Sequence, residues 1–386
     1  MSIHEFLTGE NAFALRRALA PGDGETFDPI RIAAALRREL PAEPARALAE
    51  QIELERRARA KFERPERMLF EREALEQATS PGCARHHARA ASPGARVVDL
   101  GCGLGADSLA FGAGGHRVIA IDRDPARARL AAHNLAVAGA RAIVAVGDAT
   151  ALPARGDLLY VDPDRRPRAR GRVFSLRETS PDLDAIERWR AHFARVLVKA
   201  PPAIPDEEIP VDARVEFLSE GFECREAMLT LGGERGRAAV RTETGERREV
   251  EPGPRAPIAT DGAFLLDPDP ALRRAGGVDA FAREIGAARV AEDSTYLFAD
   301  RAPDSPWARA YRVRTMAPFR ARDLARALAA DPPRELVFKQ RGVKIPEASL
   351  RKGAPRSPDG PAITVVLFAR GASRWMAICD SPSSSA

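Results

Sequence analysis

Residues 97–105 constrain the fold of this 386-residue chain more than any other segment. They read Val-Val-Asp-Leu-Gly-Cys-Gly-Leu-Gly, so a run of β-forming residues leads directly into three closely spaced glycines. A helical pattern begins at residue 106. Glycines let the backbone turn sharply and let a ligand approach bare main chain. The segment therefore predicts a strand, a ligand-binding turn and a helix in succession.

Short apolar runs alternate with helical patterns through the middle of the chain. Helices are predicted at 106–112, 125–137 and 182–193, and strands at 96–100, 117–121, 142–146, 157–161, 195–199, 211–218 and 225–231. Alternating strands and helices form a parallel sheet with helices on both faces. Ligands of such sheets bind at the carboxyl ends of the strands. The fold class is therefore α/β.

The regions on either side follow other patterns. The first 90 residues have apolar residues at helical spacing, with helices expected at 30–40, 45–62 and 71–79 and a short helix opened by Ser80 and Pro81. The charged, glycine- and proline-rich residues 245–257 are typical of a linker. Beyond it, strands at 311–316, 336–339, 363–369 and 375–379 and a helix at 322–330 predict a second α/β region. We therefore predict domains over 1–90, 91–244 and 258–386.

Three acids at successive strand ends select the ligand. With Ala106, the glycine turn also fits a dinucleotide site. Asp99, however, lies where a pyrophosphate would approach, and an acid there suits a cationic or amine-bearing ligand. Asp122 ends the second strand and can accept both hydrogen bonds of a ribose diol, and Asp148 follows the third strand and can accept from an adenine amino group. Ribose, adenine and a cationic amino-acid tail together describe S-adenosylmethionine.

In this order of features, residues 95–235 resemble the class I S-adenosylmethionine-dependent methyltransferases. The resemblance implies a Rossmann-like core and an enzyme with S-adenosylmethionine as its cofactor. It implies that the methionine pocket is shaped by Asp99, Gly101, Gly103 and Gly105. It also implies that Asp122 holds the ribose and that Asp148 and Ala149 hold the adenine.

The fourth strand ends in the sequence Asp162-Pro163-Asp164-Arg165-Arg166. Amino-methyltransferases commonly have Asp-Pro-Pro and an aromatic residue here. The resemblance implies that Asp162 and the Pro163 carbonyl accept hydrogen bonds from the target amine, as catalytic residues. The second proline and the aromatic are replaced by Asp164 and Arg165, and a guanidinium plane can stack on a base and attract phosphate. Substrate binding is therefore expected at Asp164, Arg165 and Arg166.

Two further segments narrow the resemblance. Residues 79–86 are similar to a Thr-Pro-x-x-Ala-x-His element of trimethylguanosine-synthase-like methyltransferases, with Ser80 as an interruption, and Asp107 is similar to that group as well. His86 and His87 fit a packing role equally well. Residues 338–342 and 346–352 resemble the THUMP-like domain that accompanies some bacterial methyltransferases. Because the true THUMP domain binds RNA, this resemblance implies an RNA substrate. Together with the amino-methyltransferase motif at Asp162, it leads us to expect methyl transfer to a nitrogen of an RNA base.

Composition is consistent with this prediction but does not require it. The net charge of +5 and the five arginines within residues 165–172 permit a polyanionic partner. An apolar run long enough to span a membrane is absent from the sequence. The N-terminus lacks the pattern of a secretion signal and the four cysteines are scattered, which favours a cytoplasmic protein. The spacing of His, Cys and Asp predicts no metal site.

Other functions remain open at this point. The chain could methylate a small molecule or a protein side chain, or could be a noncatalytic RNA-binding protein with a methyltransferase fold. A dinucleotide oxidoreductase is a distant alternative, disfavoured by Asp99 and Asp148. The sequence leaves the RNA, the base, the methylated atom and the oligomeric state undetermined.

Overall fold

The computed structural model describes residues 2–20, 26–148, 155–165, 175–351 and 354–381. Its contacts divide the chain into two compact units, each of which is described by itself. The first comprises Met1–Val215, Arg225–Arg235 and Thr242–Gly245, and the second comprises Glu216–Cys224, Gly236–Arg241 and Glu246–Ala386. The domain ranges 1–90, 91–244 and 258–386 stay predictions.

The described residues contain these α-helices, in chain order: α1 (Ile3–Leu7), α2 (Glu10–Leu19), α3 (Pro29–Glu39), α4 (Ala42–Ala58), α5 (Arg72–Gln77), α6 (Pro81–Arg89), α7 (Ala106–Ala113), α8 (Pro125–Val137), α9 (Leu183–Trp189), α10 (Pro270–Ala275), α11 (Val278–Glu284), α12 (Ala321–Ala330) and α13 (Glu347–Arg351). Short 3-10 helices occur at Pro65–Arg67, Leu176–Glu178 and Asp206–Glu208. Among the described helices, none combines the length and the apolar composition needed to cross a membrane.

The strands of the described residues are β1 (Arg96–Leu100), β2 (Arg117–Asp122), β3 (Ala142–Val146), β4 (Gly156–Val161), β5 (Asp164–Arg165), β6 (Thr179–Ser180), β7 (Phe193–Ala200), β8 (Arg214–Glu220), β9 (Glu223–Leu231), β10 (Gly236–Arg241), β11 (Glu246–Val250), β12 (Phe264–Pro268), β13 (Ala288–Arg289), β14 (Leu297–Ala299), β15 (Ala308–Pro318), β16 (Glu335–Arg341), β17 (Ala362–Arg370) and β18 (Ser373–Asp380).

The sheet of the first unit confirms the predicted parallel arrangement. Its strands follow the order β9-β7-β4-β1-β2-β3. The pairs β7–β4, β4–β1, β1–β2 and β2–β3 are parallel, and β9 is antiparallel to β7. Apolar side chains from β1, β2, β4 and β7 form a buried core with α7 and α8. The carboxyl ends of the parallel strands therefore meet at one edge, where the glycine turn lies.

Some predicted bounds were wrong: the helix expected at 45–62 ends at Ala58, and the strand expected at 211–218 begins at Arg214. The helix expected to reach residue 193 ends at Trp189, and Phe193 already begins β7. Residues 246–250, predicted as part of a linker, form β11 and pair with β10 through a turn in which Gly245 has φ +74°. β11 is a terminal strand with mostly exposed side chains, so it accommodates the charged residues that suggested a linker.

Hydrogen bonds to the segment 68–70 connect the N-terminal helices of the first unit to the glycine turn. Gln51 of α4 exchanges two hydrogen bonds with the Phe70 backbone, at 2.7 and 3.0 Å. Asn134 of α8 does the same with Leu69, and its Nδ2 also donates to the Leu104 carbonyl in the glycine turn at 3.1 Å. Buried side-chain amides must be satisfied in this way. These contacts fix the helical region against the ligand-binding edge.

The second unit contains a seven-stranded sheet in the order β13-β14-β12-β15-β18-β17-β16. Only β16 and β17 pair in parallel; the other adjacent strands of this sheet run antiparallel. Apolar cores lie on both faces, one centred on Tyr296 and Tyr311 and the other on Leu324 and Leu328 of α12. The four strands and the helix predicted between residues 311 and 379 are confirmed, whereas β12–β14, α10 and α11 were not predicted.

We expect Arg16→Met to lower the free energy of unfolding by about 3–5 kcal/mol. Arg16 is 1% exposed, its Nη2 lies 2.8 Å from Glu55 Oε2, and its Nη1 donates to the Met68 carbonyl. Removing one partner of a buried pair leaves an uncompensated buried charge, which accounts for a loss of that size. Urea unfolding followed by circular dichroism measures the change. The double variant Arg16→Met/Glu55→Leu should recover part of the loss, and an unchanged single variant would contradict the prediction.

Candidate active site

A cleft lies at the carboxyl ends of β1, β2 and β4. It encloses about 870 Å³ together with its open mouth. Its walls come from the glycine turn, the ends of these strands, the residues around the end of α5, and the ribbon formed by β5 and β6: Ala74, Gln77, Ala78, Thr79, Leu100, Gly101, Cys102, Gly103, Leu104, Ala106, Asp107, Ile121, Asp122, Arg123, Arg127, Gly147, Asp148, Asp162, Asp164, Ser180 and Pro181. Six of the twelve predicted site residues line this cleft, whereas Asp99, Gly105 and Pro163 are described but are not among its lining residues.

The glycine turn requires glycine for conformation and for space. Gly101, Gly103 and Gly105 have φ values of +81°, +54° and +85°, a region that disfavours residues with a side chain. A Cβ on Gly101 would also lie 3.1 Å from the main-chain oxygen of Asp162. Gly105 is the N-cap of α7 in the left-handed conformation. The turn therefore presents bare backbone to the cleft.

Asp99 is a buried carboxylate with one unsatisfied oxygen. Its Oδ2 accepts a hydrogen bond from Ser108 Oγ at 2.5 Å, and its Oδ1 has no partner among the described residues. Burial, together with the charge of Asp107, raises the pKa of Asp99 to about 8. An orphaned buried acceptor is costly unless a ligand satisfies it. The unsatisfied acceptor oxygen of Asp99 on β1 therefore fits the cationic amino-acid moiety of S-adenosylmethionine.

Asp122 is held in a fixed orientation at the end of β2. Its Oδ2 accepts from the Gly103 amide and its Oδ1 from the Asp124 amide, both at 2.9 Å. A carboxylate oxygen can accept more than one hydrogen bond, so capacity for a diol remains. Asp148 is exposed and lines the same cleft beyond β3. Ala149, the other residue predicted to bind adenine, lies outside the described residues.

The residues predicted around the acceptor are only partly described. Asp162 and Asp164 line the cleft, and Pro163 is buried between them. Asp164 lies in β5, pairs with Ser180 of β6, and accepts a hydrogen bond from Arg123 Nη2 at 3.2 Å. The backbone of Arg165 lies in β5, but its side chain and the whole of Arg166 lie outside the described part of the chain.

A chain of polar side chains beneath the cleft was not predicted. Lys199 Nζ donates to Asp162 Oδ2 at 2.8 Å and to Thr79 Oγ1 at 3.0 Å. The Thr79 hydroxyl in turn donates to Asp107 Oδ2 at 2.7 Å. His87 continues the chain, with Nδ1 2.7 Å from Asp107 Oδ1 and Nε2 2.5 Å from Oε1 of a further acid, Glu226 in β9. Six side chains from six parts of the first unit are thereby linked.

The charges in this chain are set by burial and by close partners. Burial disfavours a charged His87, but the two flanking carboxylates raise its pKa to about 9, so it is an imidazolium at neutral pH. Burial likewise opposes ionisation of Asp107, yet its bond to His87 lowers its pKa. The pKa of Lys199 is raised above its ordinary value by Asp162 and the neighbouring acids, against the effect of burial.

The sequence gave only weak indications that His87, Lys199 and Glu226 belong to the site. The prediction centred on His86, whereas His87, one residue later and fully buried on α6, makes the contacts with Asp107 and Glu226. Lys199 is one of five lysines in an arginine-rich chain and lies near the end of a predicted strand. Its rarity and its position were the features that could have indicated a role in the site. Glu226 lies on an antiparallel strand whose sequence gave no sign of a role in the site.

Comparison with known proteins agrees with this geometry. A family model described as a methyltransferase domain matches residues 97–161, and one described as THUMP domain-like matches residues 308–381. An uncharacterised S-adenosylmethionine-dependent methyltransferase of Mycobacterium tuberculosis, found in strains CDC 1551 and H37Rv, is 32% identical over 292 residues. The match covers 74% of this chain and 80% of that relative.

The fold also recurs in a solved structure. A putative methyltransferase from Porphyromonas gingivalis W83 is similar over 96% of this chain and 98% of its own, with a TM-score of 0.76 and 20% sequence identity. The shared architecture and the curated relative confirm the predicted fold class, enzyme class and cofactor. The chain belongs to the S-adenosylmethionine-dependent methyltransferases, with N-terminal helices, a Rossmann-like methyltransferase sheet and a C-terminal THUMP-like domain.

Proposed function

We propose that this methyltransferase transfers a methyl group to a nitrogen of an RNA base. The observation that carries the proposal is the position of Asp162, whose carboxylate ends β4 and lines the same cleft as the glycine turn. A carboxylate there can accept a hydrogen bond from an acceptor amine and orient its nitrogen. When bound, S-adenosylmethionine supplies the activated methyl group, so the protein contributes mainly positioning and electrostatics.

The cofactor half of the cleft would be formed by the seven predicted residues. Asp99 offers an unsatisfied buried oxygen to a cationic group, and the glycine turn offers bare backbone around it. Asp122, oriented by two amides, would accept from the ribose. Asp148 and Ala149 would contact the adenine beyond β3. These roles keep a cationic ligand against the acids at the strand ends.

The acceptor half would be formed by the end of β4. Asp162 and the Pro163 carbonyl would accept the amine N–H groups, and Asp164, Arg165 and Arg166 would contact the rest of the substrate. Arg123 and Arg127 also line the cleft, although both have acidic neighbours. Arginine side chains near the acceptor suit a base that is attached to phosphate.

RNA as the substrate is supported by the C-terminal domain and by charge. The THUMP-like match suggests RNA binding. In the second unit, the buried carboxylate of Asp267 is surrounded by Arg273, Lys339 and Arg341, so one negative charge faces three positive ones. Lys344, which follows Arg341 by three residues in the sequence, is exposed. Such an excess of positive charge favours a polyanionic partner.

Cofactor binding should strengthen as the pH rises from 6 to 8. Asp99, with a pKa of about 8 in the free protein, must lose its proton before it can accept from a cationic amine, so affinity should rise up to about 10-fold per pH unit. Calorimetry with S-adenosylhomocysteine measures this dependence. Asp99→Asn should flatten it, whereas the control Asp122→Asn should lower affinity at every pH and keep the slope. A flat wild-type profile would refute the role of Asp99.

Asp162→Asn should reduce methyl transfer by about 100-fold or more while S-adenosylhomocysteine still binds. The side chain faces the acceptor, and removal of one preorganised electrostatic group has effects of that size. Transfer of labelled methyl groups to total RNA from a deletion strain measures the rate. Label that is lost on nuclease treatment supports RNA as the substrate. Label that is sensitive only to protease, or found only in small molecules, would replace RNA by those acceptor classes.

Replacing Arg168, Arg170 and Arg172 by Ala should weaken RNA binding and make it less sensitive to salt. These arginines lie outside the described residues and follow the acceptor motif in sequence. If each neutralises one phosphate, the salt slope should fall by about 2, at roughly 0.7 per contact for single strands. Fluorescence anisotropy at several salt concentrations measures it. Replacing the exposed Arg31, Arg37 and Arg38 of α3 makes the same charge change and should leave the slope unaltered.

A further inference from the structure

Lys199 reaches the acceptor end of β4 from the neighbouring strand. In the parallel pair β4–β7, Val161 lies opposite Val198, so Asp162, which follows β4, lies at the level of Lys199 near the end of β7. The Lys199 ammonium lies 2.8 Å from Asp162 Oδ2. Its side chain is 16% exposed, whereas that of Asp162 is 38% exposed. The pair is therefore half-buried, with its carboxylate member toward the cleft.

The surroundings of Asp162 would otherwise oppose its charge. Burial raises its pKa, and the carboxylates of Asp107 and Glu226 raise it further. The imidazolium of His87 lies between those two carboxylates and offsets only one of them. Lys199 is the cation in direct contact with Asp162, and its charge and hydrogen bond oppose these effects, although burial still leaves the pKa of Asp162 above its ordinary value. Without it, the carboxyl group would take up a proton and become partly a donor.

The orientation of the Lys199 ammonium is fixed by Thr79. Because the Thr79 hydroxyl gives its proton to Asp107, its oxygen is left as an acceptor for Lys199. Asp107 is itself held by His87. Lys199 therefore has two fixed acceptors, Thr79 Oγ1 and Asp162 Oδ2, and is directed to one oxygen of the carboxylate. Among the described residues, no hydrogen bond to the other oxygen of Asp162 is found, and the side chain lines the cleft.

We propose that Lys199 is a positioning residue for methyl transfer, which fixes one oxygen of Asp162 and keeps the carboxylate ionised so that the other oxygen can accept the N–H of the acceptor amine. The inference rests on the proposed function of Asp162 and adds the residue that makes this function available at neutral pH. It also gives a role to Thr79, Asp107, His87 and Glu226, which hold the ammonium in place.

The direct test follows the carboxyl group of Asp162 by NMR in protein labelled with ¹³C at the aspartate carboxyl carbons. Asp162→Asn assigns the signal. Relative to wild type, Lys199→Met should raise the pKa of this carboxyl group by about 1–3 units. Lys199→Gln provides a second neutral variant if the methionine variant folds poorly, and Lys199→Arg should restore the wild-type titration.

Two further variants separate a specific contact from a general loss of charge. Arg195→Met removes a positive charge from the same face of β7, about 13 Å along the strand, and should leave the Asp162 titration unchanged. Thr79→Val removes the hydroxyl that orients the ammonium and should raise the pKa of Asp162 by a smaller amount. Thr79→Ser retains the hydroxyl and should restore the wild-type value.

The second readout is the pH profile of methyl transfer to total RNA. In Lys199→Met the acidic limb of the rate profile should move upward by the same number of pH units as the carboxyl titration, while S-adenosylhomocysteine affinity stays within about twofold. An unmoved Asp162 titration in both neutral variants would overturn the inference and leave the proposed function intact, provided that Asp162→Asn still loses activity. Full activity of Asp162→Asn would overturn both.

Discussion

The close approach of Gly101 to the main chain of Asp162 joins the two halves of the cleft. A Cβ at residue 101 would come within 3.1 Å of the Asp162 carbonyl oxygen, so the first turn of the site and the end of the acceptor strand are in van der Waals contact. This contact is possible because β1 and β4 are parallel neighbours whose carboxyl ends coincide. The residues that we propose for cofactor and acceptor binding consequently lie at the ends of adjacent strands.

The acids at this edge are tolerated because each has a specific partner. Asp122 is bound by backbone amides, Asp107 by Thr79 and His87, and Asp162 by Lys199. Asp99 differs, since one of its oxygens has no partner in the described part of the chain. A buried polar group of this kind costs stability that a ligand can repay. In the proposed function, the cation would lie at Asp99 and the amine donor at Asp162.

Much of the methyltransferase core was predictable from local patterns. Residues 96–100, 125–137 and 142–146 form the predicted elements with the predicted bounds, because apolar periodicity and glycine or proline boundaries report local backbone preferences. Of the linker predicted at residues 245–257, residues 246–250 form β11 instead, because the charged composition that indicates a loop also occurs on exposed strands. Charged residues on a terminal strand such as β11 resemble a loop in sequence, and their pairing with β10 depends on a turn at Gly245.

The sequence by itself determined the strand–turn–helix unit, the acids at three strand ends and the class of cofactor, since these depend on residue type at positions close together in the chain. Only the tertiary structure decided which residues support Asp162. Thr79, His87, Lys199 and Glu226 come from segments up to 147 residues apart, and their contact follows from strand order and from the packing of α6 against the sheet. Long-range hydrogen bonds leave no periodic signal in sequence, because any polar residue of suitable reach can make them once the fold has brought the partners together.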